Sequence, residues 1–258
     1  MLAVKRRQII TEKVKEKKFI TVKELTDEFD VTDETIRRDL KVLEEEGELL
    51  RTHGGAFLRE VKTFDVDVQY RQTKEIVAKQ RIANISKKLI DDHDVIFLDS
   101  STTAAEIAKS VSDLELTIIT NSLLIANLLA NNQNIKTIVV GGTLDLTNLC
   151  FIADTTAGEL SRYFTNKCFV SCRSISFDHG PMDSNESLAM IRSTAINNSN
   201  SVYLIADHTK FNGVSLCQIA TYDKFDGIIT DVQPDEDWIK MTSKIGVKLL
   251  FPNEISQT

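Results

Sequence analysis

The 258-residue chain is short of several things, and each shortage removes a class of protein. Its four cysteines, Cys150, Cys168, Cys172 and Cys217, are too few and too scattered to staple a small secreted fold, and they lack the paired spacing of a zinc site. Cys168 and Cys172 fall on one face of a strand, where buried reduced thiols are the ordinary reading and a redox pair the alternative. No apolar run reaches the length of a membrane span, and no apolar stretch precedes Lys5-Arg6-Arg7. A cytoplasmic location and no membrane partner are therefore expected. Positive charge is also scarce: 31 Lys and Arg stand against 38 Asp and Glu, for a net charge of -7. Such a chain does not coat nucleic acid indiscriminately, because non-specific binding needs clustered basic groups to neutralise phosphates. Repeats of fixed period and low-complexity tracts are missing as well, and no metal or cofactor is expected. A 42% hydrophobic share in a chain of this length suits a small domain plus a larger one.

Against that background the stretch from Val31 to Ala56 is dense with local signals. Thr32 is the predicted N-cap of a helix whose first turn holds Asp33 and Glu34, where the helix dipole favours negative charge. Ile36, Leu40 and Leu43 at i, i+4 and i+7 form an apolar stripe, which turns Glu34, Arg38 and Lys41 outward with Thr35 and Arg37 at the flanks. Gly47 is the predicted stop. Upstream, Thr21-Val22-Lys23-Glu24 reads as a capping box opening a short helix through Phe29, and Asp30-Val31 leaves only a tight turn between the two helices. Downstream, Leu49 to Thr52 and Ala56 to Leu58 are expected to pair around His53-Gly54-Gly55 as a hairpin, or wing, to which Phe19-Ile20-Thr21 could add a strand. A first helix, carrying Val4, Ile9 or Ile10, and Val14 at helical spacing, packs beneath this pair. Two arginines on one helix are by themselves an ordinary solvated face. The capped helix pair, the arginines, the glycine stop and the basic wing together predict DNA binding, with the second helix entering the major groove by its N-terminal half. The expected DNA contacts are Thr32, Thr35, Arg37, Arg38 and Lys41 on the helix and Arg51 and His53 on the wing. One such module covers one half-site, so a homodimer or homotetramer is expected.

Residues 59–74 alternate charge with small apolar residues and are read as a linker between a winged helix-turn-helix domain (1–58) and a larger domain (75–258). In the larger domain short apolar runs such as Val95 to Leu98, Leu116 to Thr120 and Thr137 to Val140 alternate with helical patterns such as Leu123 to Leu129 and Glu186 to Asn197. Strand, polar turn and helix in series imply a mostly parallel α/β sheet covered on both faces. In such sheets ligands sit beyond the carboxyl ends of the strands. Three of those ends are small and hydroxylic: Asp99-Ser100-Ser101-Thr102-Thr103, Thr120-Asn121-Ser122 and Gly141-Gly142-Thr143. Each turn alone is an ordinary helix cap or bend. Three in succession predict a pocket for a small phosphorylated ligand, with free N–H groups at helix starts attracting the anion.

The segments V-T-D-E-T-I-R-R-D-L and L-L-R-T-H-G-G-A resemble the N-terminal signature of the DeoR family of bacterial transcriptional regulators. L-D-S-S-T-T, I-T-N-S, V-V-G-G and L-I-A-D-H-T-K-F are similar to segments of that family's sugar-phosphate-binding domain, whose fold is like that of ribose-5-phosphate isomerase. The resemblance implies that Ser101, Thr102 and Thr103 hold the phosphate, that Asn121 and Gly142 lie beside the sugar, that Lys210 is a cationic partner, and that Asp207 borders the pocket. Arg173 and Glu186 are expected at the same pocket on this chain's own residues. After the fourth strand the family pattern is a glycine-rich segment with an aspartate; this chain has Phe169-Val170-Ser171-Cys172-Arg173-Ser174-Ile175, with Arg173 in place of the acid. His93 stands where a glycine is usual and is read as a turn residue. Three functions compete at this point. The first is a repressor of a sugar uptake or catabolism operon, controlled by a phosphorylated sugar. The second is a phosphosugar isomerase with an attached DNA-binding module, which needs a carboxylate base such as Asp183, Glu186 or Asp207. The third is a second domain that only oligomerises. Arg173 cannot serve as a base near neutral pH, which favours the non-enzymatic repressor.

Overall fold

The computed structural model describes residues 3–17, 19–46, 48–51, 55–58 and 67–252. The chain divides into two compact units, the first comprising Met1–Val61 with Asn212–Val214 and the second Lys62–Phe211 with Ser215–Thr258.

In the first unit α1 (Ala3–Lys17), β1 (Phe19–Thr21), α2 (Val22–Phe29), α3 (Asp33–Glu45), β2 (Leu49–Arg51) and β3 (Gly55–Leu58) follow one another. The capping box opens α2: the Thr21 amide donates to Glu24 Oε2 at 2.8 Å, and the Glu24 amide donates to Thr21 Oγ1 at 3.1 Å. Asp30 turns the chain in the left-handed region at φ 50°, and Thr32 caps α3 by accepting the Thr35 N–H at 3.3 Å. Ile36, Leu40 and Leu43 then pack on Ile10, Val14, Leu25 and Leu49 in one core. Val4 does not join them and is 71% exposed. Six residues at about 100° each carry it roughly 240° around α1 from Ile10, off the buried face. Strands pair antiparallel in the order β1-β3-β2, so Phe19–Thr21 does add a strand to the wing. Gly55 permits that pairing, because a Cβ there would lie 2.1 Å from the Ile20 carbonyl oxygen. Gly47 and the wing tip, His53 included, lie outside the described residues.

The second unit contains α4 (Val68–Thr73), α5 (Ile76–Lys87), β4 (Val95–Leu98), α6 (Thr102–Ser110), β5 (Leu116–Thr120), α7 (Leu123–Leu129), β6 (Ile135–Val139), β7 (Thr143–Asp145), β8 (Cys150–Ile152), α8 (Asp154–Leu160), β9 (Thr165–Ser171), β10 (Ser174–Ser176), β11 (Gly180–Asp183), α9 (Glu186–Asn197), β12 (Ser199–Ile205), β13 (Cys217–Gln218), β14 (Gly227–Ile229), α10 (Glu236–Ile245) and β15 (Lys248–Leu250). Seven strands form a wholly parallel sheet in the order β15-β14-β12-β9-β4-β5-β6. Both of its faces are buried. Phe97, Cys168, Val170 and Leu204 point into one core with Trp238, while Ile96, Leu98, Phe169 and Ile205 point into the other with Ile82 and Ile107. That alternation is the pleat of a covered parallel strand. Cys168 and Cys172 are buried reduced thiols, and burial pushes the Cys172 thiol up to about 12.

Two features depart from the sequence reading. Within 59–74, Val68–Thr73 is helical: Asp67 caps it by accepting the Gln69 N–H at 2.7 Å, Val68 is buried, and the Val68 amide donates to the Thr147 carbonyl at 2.9 Å. The C-terminal part of the segment read as a linker is thus built into the second unit. In addition, a β7–β8 hairpin and a small antiparallel sheet, β10-β11-β13, decorate the main sheet. Their strands are two to four residues long, too short to show a period of two.

Candidate functional site

On the first unit the outward side of α3 carries Arg37, Arg38 and Lys41, all exposed, with Lys41 3.9 Å from Glu45. Thr35 is held back by the cap, its hydroxyl 3.0 Å from that of Thr32. Arg51, expected on the DNA backbone, is committed within the protein: its Nε donates to Glu44 Oε2 at 2.6 Å and its amide to Glu44 Oε1 at 2.9 Å. Burial opposes ionisation of Glu44, but these bonds prevail and hold its carboxyl below the usual value. Arg51 therefore clamps β2 to the end of α3. Arg6, part of the basic opening, is likewise internal, its Nε donating to buried Asp39 at 2.5 Å and tying α1 to α3. A partner 33 residues away leaves no local trace in sequence.

The second unit has its chemistry where the strand order turns back. From β4 the chain proceeds outward through β5 and β6; from β9, on the other side of β4, it proceeds through β12, β14 and β15. Connections diverging from two adjacent strand ends open a crevice at that switch point. A cavity of about 270 Å³ lies there, lined by Ser100 to Thr103 after β4 and by Ser171, Cys172 and Arg173 at the end of β9. Asp207, Thr209 and Lys210 after β12 join them, with Asp183, Ser184, Leu188 and Arg192 around α9 and Tyr70, Arg71, Lys74, Glu75 and Lys79 from α4 and α5. Six cationic and three anionic side chains therefore face this space in a chain whose net charge is -7.

Asp99 organises the floor. Its Oδ1 accepts the Ser101 amide at 3.0 Å; its Oδ2 accepts the Ser171 amide at 2.9 Å and Arg192 Nε at 2.6 Å. One carboxylate thereby fixes both strand ends. Arg192 Nη1 also donates to Asp183, and although burial opposes its charge, the two carboxylates hold it firmly protonated. With Asp99 occupied, Ser101 Oγ caps α6 by accepting the Ala104 N–H at 3.0 Å. The amides of Thr102 and Thr103 have no intrahelical acceptor, and the dipole adds a positive potential at that helix start. Lys79, 5% exposed, donates its ammonium protons to the carbonyls of Arg71 and Lys74. Burial pulls its pKa down; Asp207 opposes that, and Lys210 and Arg71 add to it.

Seven of the thirteen expected ligand residues line the cavity: Ser100, Ser101, Thr102, Thr103, Arg173, Asp207 and Lys210. Asp99 sits behind it as described. Asn121 and Ser122 do not line it: Asn121 Nδ2 donates to the Phe151 carbonyl at 3.0 Å, Ser122 Oγ caps α7, and the β7–β8 hairpin is bonded to both. Gly141 and Gly142 do not either. What approaches them closely is α8, since Thr156 Oγ1 donates to the Gly141 carbonyl at 2.7 Å and a Cβ on Gly142 would lie 2.2 Å from that oxygen. Glu186 is exposed in the first turn of α9, outside the cavity. The reading missed Arg71, Lys79, Asn148 and Arg192, and it named Asp183 only as a candidate base. For two of these a signal existed: Lys79 shares the buried face of α5 with Ile82, Ala83 and Ser86, and Arg192 that of α9 with Leu188, Ile191 and Ala195, so both cations lie within apolar stripes.

A capped helix-turn-helix with a wing, joined to an α/β unit with a charged cavity at its switch point, defines a ligand-sensing transcriptional regulator. The models of the DeoR-like helix-turn-helix domain and of the DeoR C-terminal sensor domain match residues 6–61 and 74–232, and the chain belongs to the DeoR family. It is 38% identical over 249 residues to the HTH-type transcriptional regulator YulB of Bacillus subtilis (strain 168), covering 96% of each chain. To the HTH-type transcriptional repressor GlcR of the same organism it is 30% identical over 235 residues, covering 91% of each. Among solved structures, ribose 5-phosphate isomerase A from Methanocaldococcus jannaschii aligns over 52% of this chain and 53% of its own, at 16% identity and a TM-score of 0.39, a partial likeness that decides nothing about chemistry. Among the described residues no helix is long and apolar enough to cross a membrane.

Proposed function

We propose that this regulator represses a sugar uptake or catabolism operon and that a phosphorylated sugar in the second unit's cavity controls its grip on operator DNA. The observation that carries the reading is the surplus of cationic groups around the α6 N-terminus, in a cavity large enough for a sugar and inside an otherwise acidic chain. The phosphate takes the Thr102 and Thr103 N–H and hydroxyl groups with Lys210 beside it. Asp207 and Ser171 face the sugar hydroxyls. The relative named as a repressor supports repression as the mode of action.

Coupling runs through α4. Tyr70, Arg71 and Lys74 line the cavity from the first described helix after residues 59–66, the segment leading from the DNA-binding unit. Arg71 Nη2 donates to Asn148 Oδ1 at 2.6 Å, and Lys79 holds the carbonyls that follow, so a ligand in the cavity meets α4 directly. A ligand that contacts α4 differently in two states shifts their balance by that difference in affinity. The domain is a sensor and not an isomerase, because Asp183 is locked onto Arg192 and Arg173 stands at the strand end where a base is wanted. The protein acts in the cytoplasm as a homodimer or homotetramer, one α3 per half-site.

Fluorescence anisotropy with operator and scrambled duplexes tests this. Arg38→Ala is expected to lose roughly 1 to 3 kcal/mol of operator affinity per subunit with the second unit still folded. Thr103→Ala and Lys210→Ala are expected to keep operator binding and lose release by phosphosugar. If both still release at wild-type concentrations, the ligand sits elsewhere. Multiple turnover of any aldose or ketose phosphate by the wild-type protein overturns the sensor assignment.

A further inference from the structure

The cations around the cavity are not equally free. Arg192 is spent on Asp99 and Asp183, Lys79 on two backbone carbonyls, and Arg71 on Asn148. Lys74 lies 4.9 Å over the ring of Tyr70. Two cations of the lining remain without a side-chain hydrogen bond, ion pair or ring contact among the described residues, Lys210 and Arg173. Arg173 is the more unusual, because its Nε is buried and has no hydrogen-bond partner. Leaving a charged donor buried and unbonded is costly, and native structures keep such groups where something else binds them. The acids of the lining offer no relief: Asp183 is held by Arg192, Asp207 accepts the Thr209 amide at 3.0 Å, and neither Asp207 nor Glu75 forms an ion pair with Arg173. The Arg173 amide donates to the Met182 carbonyl at 2.8 Å, which anchors its backbone on β11 and leaves only the side chain uncommitted.

Arg173 also stands apart from the first anion position. The α6 N-terminus follows β4, whereas Arg173 follows β9, the strand on the other side of the switch point. Together with Lys210 the amides and hydroxyls of Thr102 and Thr103 suffice for one phosphate; they leave the guanidinium, a planar donor suited to two-point recognition of an oxyanion, without a role. Resting on the proposed phosphosugar site, we infer that the effector is two-headed: it carries a second oxyanion, a carboxylate or a second phosphate, at the far end of its carbon chain, and Arg173 binds that group. Arg173 is then the residue that separates such effectors from simple sugar monophosphates.

Calorimetric titration of the full chain with three probes decides this: glucose 6-phosphate, 6-phosphogluconate and fructose 1,6-bisphosphate, with inorganic phosphate as reference. One of the two-headed probes is expected to bind about tenfold or more tighter than the monophosphate, the gain a charge-assisted contact supplies; which one it is tells carboxylate from phosphate. Arg173→Gln is expected to erase that gain while leaving glucose 6-phosphate within about threefold of wild type, and Arg173→Lys to restore part of it. Melting curves of the unliganded variants, expected to match wild type, separate lost recognition from lost folding. Equal binding of all three sugars, or an equal loss for all three in Arg173→Gln, overturns the inference while the phosphosugar site stands. Failure of every probe, inorganic phosphate included, overturns the site and the inference together.

Discussion

Two strand-to-helix turns of the second unit read almost alike and end differently. In Asp99-Ser100-Ser101 the Ser101 amide donates to Asp99 Oδ1 at 3.0 Å, and Ser101 Oγ caps α6. In Thr120-Asn121-Ser122 the Ser122 amide donates to Thr120 Oγ1 at 3.0 Å, and Ser122 Oγ caps α7. The local geometry is the same, yet only the first turn lines the cavity. Two differences decide it. The carboxylate of Asp99 has a second oxygen with which to recruit Ser171 and Arg192 from across the switch point, and the single hydroxyl of Thr120 has none. The second turn is also covered: the Phe151 amide donates to the Asn121 carbonyl at 2.8 Å and the Leu123 amide to that of Leu149 at 2.9 Å, so the β7–β8 hairpin occupies the space a ligand needs. A hydroxylic turn is a competent anion site only if the fold leaves it open.

The sharpest way to break this contrast is to remove the partner that only the first turn has. Arg192→Met leaves Asp99 and Asp183 buried without their counter-ion and is expected to cost about 3 to 5 kcal/mol, read from denaturant melts. A loss below about 1 kcal/mol would mean Asp99 is not the anchor. Next in size is Gly142→Ala, whose new Cβ collides with Thr156 Oγ1; about 1 to 3 kcal/mol of stability is expected to go, with effector affinity following only through folding. Should the melt stay unchanged while effector binding disappears, the glycine serves a ligand and not α8. The finest comparison is between two cap deletions. Ser101→Ala and Ser122→Ala are each expected to cost about 1 kcal/mol. Only Ser101→Ala should also weaken effector binding in titration, and equal loss in both would erase the distinction between the turns.

What could be read in advance follows the range of the interactions involved. The helix-turn-helix was legible because its determinants are local: the Thr21–Glu24 box, the Thr32 cap and the Ile36-Leu40-Leu43 stripe act within one or two turns of backbone. Its clamps were not: Arg6 meets Asp39 33 residues away, and Arg51, a residue of the expected DNA face, meets Glu44 across the turn from α3 to β2. The parallel sheet was legible for the same reason, from apolar runs separated by polar turns, whereas strand order was not. Strand order is what the cavity depends on. Because β4 and β9 are neighbours, the Asp99 carboxylate reaches an amide 72 positions away, and because α4 belongs to the second unit, a stretch that reads as a connector lines the cavity. The sequence by itself determined the elements, their caps and the family, since each is a matter of neighbouring residues. Which hydroxyls stay open, which cations are spent and which guanidinium is left over were decided only by the tertiary structure, because those outcomes depend on which distant side chains arrive first at the same oxygen.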